Sequence, residues 1–79
     1  YRATVFPNPA VESIQLQFEN YAEDRELIFM DVRGQQVLQQ AAPNKEVSVD
    51  VNHLKTGTYL IQVREGEGLK KVVRLVIEE

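Results

Sequence analysis

Apolar and polar residues alternate with a period of two along most of this chain. The best-patterned stretch is Leu54-Lys55-Thr56-Gly57-Thr58-Tyr59-Leu60-Ile61-Gln62-Val63. Tyr59, Ile61 and Val63 fall on one face, and Thr58, Gln62 and Arg64 on the other or at its rim. Successive side chains of an extended backbone point to opposite sides. The pattern, rich in β-branched and aromatic residues, therefore predicts a half-buried strand. Leu60 interrupts the polar face, which predicts partial cover on that side too. Leu54 reads as an apolar plug before a short polar turn. Gly57 is expected to carry that turn through positive φ, where a Cβ would clash.

The same period recurs on both sides of this stretch. Ala3-Thr4-Val5-Phe6 predicts a short first strand, and Ser13 to Phe18, with Ile14, Leu16 and Phe18 on one face, a second. Between them Pro7-Asn8-Pro9-Ala10 predicts a stiff, extended turn. Each proline pushes the residue before it out of the helical region, and Asn8 is expected to bond its own backbone. Arg25 to Val32 predicts a third strand, with Leu27 and Phe29 on one face and Ile28, Met30 and Val32 on the other. Apolar residues on both faces predict a central strand covered on both sides. Asp31-Val32-Arg33-Gly34 then reads as a turn in which the carboxylate accepts backbone N–H bonds and Gly34 takes positive φ. Gln35 to Gln40 predicts a fourth strand, hairpinned to the third. Val47, Val49 and Val51 alternate with Ser48, Asp50 and Asn52 in a fifth, which ends at Asn52-His53. After the sixth strand, Glu65-Gly66-Glu67-Gly68 predicts a tight hairpin. Leu69 to Ile77 predicts the seventh strand, with Val73, Leu75 and Ile77 on the core face and Val72 and Val76 on the other.

Seven short strands with no helical period predict an all-β domain, an immunoglobulin-like antiparallel β-sandwich, with a small barrel as the alternative. The length of 79 residues sets a single domain spanning 1–79, which buries only about 60% of its unfolded surface. A net charge of −3 argues against nucleic acid, whose phosphates call for a clustered basic excess. The one basic cluster is Lys70, Lys71 and Arg74. No apolar run reaches the roughly 18 residues that would span a bilayer. Tyr1 is expected to be a boundary inside a longer protein, since neither a signal peptide nor a starting methionine opens the chain. The absence of cysteine excludes disulfides, thiolate catalysis and thiolate metal sites.

Candidate chemistry is sparse. His53, the one histidine, follows Asn52 in a turn and reads as a structural or exposed side chain. Ser13 and Ser48 have no nucleophile-elbow context. The carboxylates are scattered and form no alternating calcium loop. Gly66-Glu67-Gly68 is acidic and joins two strands, the wrong setting for a phosphate. No catalytic residue, cofactor or metal ligand is expected. What remains is recognition by a surface or a strand edge. Lys70 to Ile77 is strongly β-forming and basic at its start, and reads either as a strand open to docking or as a closing strand with lysines guarding its edge.

Four fragments in series resemble one family. They are Val5-Phe6-Pro7-Asn8-Pro9-Ala10 with Ile14-Gln15-Leu16, Ile28 to Val37 around Asp31-x-x-Gly34, Val49 to Val63 around Leu54-x-x-Gly57-x-Tyr59, and Lys71 to Ile77. In this order and spacing the chain resembles the C-terminal sorting domain of the type IX (Por) secretion system of Bacteroidetes, over essentially its whole length. The resemblance implies a non-enzymatic tail of a larger secreted protein, with a seven-stranded immunoglobulin-like fold. Its cargo domain, N-terminal to it in the same chain, would cross the inner membrane by its own signal. The tail would then be read by the outer-membrane translocon, removed by a surface sortase at or upstream of Tyr1, and the cargo released or anchored to lipopolysaccharide. Motif residues carried over are Pro7, Asn8 and Pro9, Asp31 and Gly34, Leu54, Gly57 and Tyr59, and Lys71, Val72, Val73, Arg74, Leu75, Val76 and Ile77. Family members commonly finish with a basic residue, whereas this chain finishes Ile77-Glu78-Glu79. The alternative reading is a fibronectin-like or carbohydrate-binding accessory domain of a secreted enzyme, for which Tyr1 and Tyr21 are the candidate aromatics.

Overall fold

Seven strands and no helix make up residues 1–78, the part of the chain that the computed structural model describes. In chain order they are β1 (Ala3–Phe6), β2 (Ser13–Phe18), β3 (Arg25–Met30), β4 (Gln36–Ala41), β5 (Glu46–Asp50), β6 (Gly57–Glu65) and β7 (Gly68–Ile77). They form two antiparallel sheets, one of order β1-β2-β5 and one of order β4-β3-β6-β7. The fold is an all-β sandwich, as the alternation predicts. The fourth strand pairs with the third and so joins the sheet of the last two strands, unlike the constant-type immunoglobulin arrangement, in which it joins the other sheet. Of the Glu78-Glu79 ending, Glu79 lies outside the described residues.

The core is built by the face that each alternation buries. Ile14 and Leu16 of β2 and Val49 of β5, with Val51 just beyond it, meet Leu27 and Phe29 of β3, Ile61 and Val63 of β6, and Leu75 and Ile77 of β7. All are 2% exposed or less. Register follows. Tyr59, Ile61 and Val63 pair with Leu75, Val73 and Lys71 on one side, and Ile61 and Val63 with Phe29 and Leu27 on the other.

The corner between β5 and β6 is closed by a tyrosine. The Tyr59 hydroxyl donates to the Lys55 carbonyl at 2.6 Å, four residues upstream. A tyrosine at the start of the sixth strand bonding back to its own corner is a recurring device of immunoglobulin-like sandwiches. Leu54 packs half-buried against the core, and Gly57 sits at φ +155° with open space where a Cβ would be.

Three expectations are corrected. β3 is central but covered on one face only. It ends at Met30, Ile28 and Met30 are half-buried, and Val32 lies in the following turn, 81% exposed. No second layer packs on that side among the described residues. For the same reason Leu60 is uncovered, at 45% exposure. Asn8 does not bond its own backbone. It reaches across to β7, as described below.

Candidate functional site

The turns and strand ends that carry the four motifs meet at one end of the sandwich. Antiparallel pairing sets this directly. β7 finishes beside the start of β6, with Ile77 opposite Gly57 and Arg74 opposite Leu60. Leu60 in turn lies opposite Met30, the last residue of β3, from which the Asp31 turn departs. That turn is tightly wired. Asp31 Oδ1 accepts the N–H groups of Arg33 at 2.9 Å and Gln35 at 3.0 Å, the Gly34 N–H donates to the Asp31 carbonyl at 3.0 Å, and Gly34 takes φ +84°. The backbone bond from Gln35, then that from Arg33 and the Arg33 guanidinium 3.6 Å away, hold the Asp31 carboxyl below its ordinary value. Capping the turn is thus the role its geometry supports. Asp31, Arg33 and Gln35 share a groove of ≈ 370 Å³ with His53, Leu54, Lys55 and Tyr59. Two turns some twenty residues apart in sequence are therefore neighbours in space.

The Pro7-Asn8-Pro9-Ala10 segment reaches the same end. Both X-Pro peptides in it are cis. The Asn8 side chain behaves like a residue of an added strand along the outer edge of β7. Its Nδ2 donates to the Arg74 carbonyl at 2.9 Å, and its Oδ1 accepts the Val76 N–H at 3.0 Å. Ala10, fully buried, continues the edge with its own backbone. Its N–H donates to the Val76 carbonyl at 2.8 Å, its carbonyl accepts the Glu78 N–H at 2.7 Å, and a parallel bridge joins it to Ile77. The last third of β7 is therefore zipped to the start of the chain, which covers an edge that would otherwise offer unpaired backbone groups.

Within β7, Leu75 and Ile77 are buried and Val73 is half-buried against the core. Lys71 continues that inward side, half-buried, whereas Val72, Arg74 and Val76 face outward. Lys71 and Val72 stand towards the other end of the strand, so the structure separates the start of this motif from its finish. Gly57, Tyr59, Leu54, Asp31, Gly34, Asn8 and Arg74 are brought together, with Pro7 and Pro9 flanking Asn8.

The opposite end is organised by a residue to which the alternation assigns no role. Arg25 is 2% exposed, and its guanidinium lies 3.9 Å from the Phe18 ring centroid. Its nitrogens donate to the carbonyls of Asn20 at 2.7 Å, Ala42 at 3.4 Å and Asn44 at 3.3 Å, and Nε lies 3.3 Å from Glu65 Oε2. The Tyr1 hydroxyl donates to the same Glu65 oxygen at 2.6 Å. That hydrogen bond, with the Arg25 bond and charge behind it, holds the Glu65 carboxyl below its ordinary value. Burial first, then the Glu65 acceptor, raises the Tyr1 phenol. One arginine thus ties two loops, the β6–β7 hairpin and the first residue together. Its only signal in the sequence is an inward-facing charge at the start of an apolar strand, which calls for a dense set of acceptors. Tyr1, Tyr21 and Phe18 line a cleft of ≈ 330 Å³ beside it, with Arg2, Glu19 and Lys70.

Among the described residues no group of three or more His, Asp or Glu side chains is placed to hold a metal ion. No buried side-chain nitrogen or oxygen there lacks a partner.

The family of secretion system C-terminal sorting domains matches residues 4–78, nearly the whole chain. The chain belongs to this family. A search among curated proteins finds no match. The sorting domain is the C-terminal signal of type IX secretion, so its host is a secreted or cell-surface protein exported across the outer membrane. As a signal it is not catalytic. It works with the type IX machinery on one hand and with an N-terminal cargo region on the other. Among the described residues no helix is long and apolar enough to cross a membrane.

Proposed function

We propose that the address read by the type IX translocon is the end of the sandwich where the Asp31 turn, the Leu54–Tyr59 corner, the Asn8 clip and the finish of β7 converge. The observation that carries this reading is that convergence: residues from four stretches between Asn8 and Val76 form one contiguous surface. Recognition then acts on a folded surface rather than on a linear peptide. Tyr1 lies at the other end, tied to Glu65 beside the β6–β7 hairpin. A cargo domain attached there points away from the address. A surface sortase cutting at or upstream of Tyr1 acts at the cargo end, and the cargo is then released or exchanged onto a lipopolysaccharide anchor. Deleting residues 69–79 from the full-length protein should hold the cargo in the periplasm, while Tyr21→Ser, at the cargo end, should leave secretion unchanged. Normal secretion of the truncated protein would overturn this reading.

A second reading has one observation in its favour. Tyr1 and Tyr21, 55% and 61% exposed, line the same cleft with charged and amide groups beside them, as a carbohydrate platform requires. Titration with soluble glycans, followed by intrinsic tyrosine fluorescence, should show saturable binding that Tyr21→Ser abolishes. A flat titration removes this reading.

A further inference from the structure

The outer face of the four-stranded sheet carries apolar residues that nothing in the fold explains. Register places Met30, Leu60 and Arg74 in one row across β3, β6 and β7, and Ile28, Gln62 and Val72 in the next. Leu60 and Val72 are each 45% exposed and Val32 is 81% exposed. A surface leucine alone needs no explanation, but these residues are contiguous. At the address end they enclose a groove of ≈ 520 Å³ lined by Met30, Val32, Thr58, Leu60 and Arg74 and closed by the Gly34 turn. That size is within the range of ligand pockets, about 300–1,000 Å³.

Among the described residues the groove carries one charge without a partner. Among the described residues no carboxylate lies within ion-pair distance of the Arg74 guanidinium, and the guanidinium donates no hydrogen bond to a protein acceptor. Asp31, the acid that borders the groove, is already occupied by two backbone N–H groups and Arg33. The backbone beneath Arg74 is held on both sides, by Leu60 across the ladder and by Asn8 at the edge. A planar guanidinium carried on a fixed strand beside an apolar groove suits a carboxylate that arrives with an apolar segment.

We propose that this groove docks an extended apolar segment of a partner protein that brings an aspartate or glutamate side chain to Arg74. The proposal rests on the address reading and names the chemistry of its partner. An anionic membrane is the poorer fit, because the groove offers a single cation beside Asp31 in a chain of net charge −3.

The chemistry can be read with two probes, acetyl-Val-Glu-Val-Glu-Val-amide and its twin with lysine for glutamate. Titrated into the isotopically labelled chain, the acidic peptide should give saturable amide shifts at Val32, Thr58, Leu60 and Arg74. The lysine peptide, and the acidic peptide on Arg74→Gln, should bind about three- to fivefold more weakly, the range of an exposed ion pair. Equal binding of both peptides, or no saturable shift, overturns the proposal. In the full-length protein Arg74→Gln and Val32→Asp should each lower secretion several-fold. Val32 stands in an exposed turn, so its change leaves the fold intact. Secretion of both variants at the level of the unaltered protein also overturns the groove. If the 69–79 deletion still blocks export in that case, export depends on the last strand but not on the groove. If the deletion is exported as well, the address reading itself fails.

Discussion

The clip between Asn8 and β7 joins the first turn of the domain to its last strand, and its removal should loosen both. Asn8→Ala deletes two hydrogen bonds, one to the Arg74 carbonyl and one from the Val76 N–H. A neutral hydrogen bond contributes about 0.5–1.5 kcal/mol net. Both bonds lie at an exposed edge, where water replaces part of what is lost, so about 1.5 kcal/mol is expected for the pair. In a domain of this size each kcal/mol moves the melting temperature by about 4–8 °C, so a fall of roughly 6–12 °C follows. The loss also has an address. The Val76 amide points outward to Asn8, whereas Leu75 lies in the ladder opposite Tyr59. Hydrogen exchange should therefore quicken at Val76 and, more weakly, at Glu78, while Leu75 stays protected. Asn8→Asp keeps the acceptor for Val76 but sets a carboxylate oxygen against the Arg74 carbonyl, and should destabilise at least as much. An unchanged Val76 exchange rate, with a melting temperature within about 2 °C of the unaltered chain, would refute the clip.

Other expectations follow from the same geometry. Arg25→Met removes the charged partner of Glu65 and the donor to three loop carbonyls, and should cost about 3 kcal/mol by urea denaturation, with Arg25→Lys recovering only part; a cost below about 1 kcal/mol would show the network to be incidental. Gly57→Val has room for its side chain but must hold φ +155°, so about 1–3 kcal/mol of backbone strain is expected, and an unaltered melting temperature would contradict the turn. Acid should unfold the domain through Asp31 and Glu65. Both carboxyls are held below their ordinary values of 3.8 and 4.5, so their stabilisation is complete above those values and is lost as pH falls below them. Melting temperature against pH should be level above about pH 5.5, a unit above the higher value, and fall below it. The acid fall should be shallower in Asp31→Asn and Glu65→Gln, and equal slopes would remove these groups from the account.

Alternation by itself determined the seven strands, their inward residues and the hairpins, because the facing of side chains along an extended chain is a local property with a period of two. Ile14 and Leu16, or Ile61 and Val63, have one buried side whatever their partners are. The Asp31 and Gly34 turn was legible for the same reason: its hydrogen bonds close within five residues. Family membership was legible too, since spaced local motifs carry it. Beyond the hairpins, local pattern did not decide which strands become neighbours. Ile28, Met30 and Leu60 look like a second buried face, but whether such a face is covered depends on a layer elsewhere in the fold, and among the described residues none packs on it. Asn8 has the composition of a turn residue, and only the approach of β7 turns its amide outward to Arg74 and Val76. Arg25 has the sequence of a misplaced charge, and only the carbonyls of Asn20, Ala42 and Asn44, with Glu65, make it a tie. Hydrogen bonds between residues 17 to 68 positions apart are chosen by strand order and sheet twist, so the meeting of the four motifs at one end was decided by the tertiary structure alone.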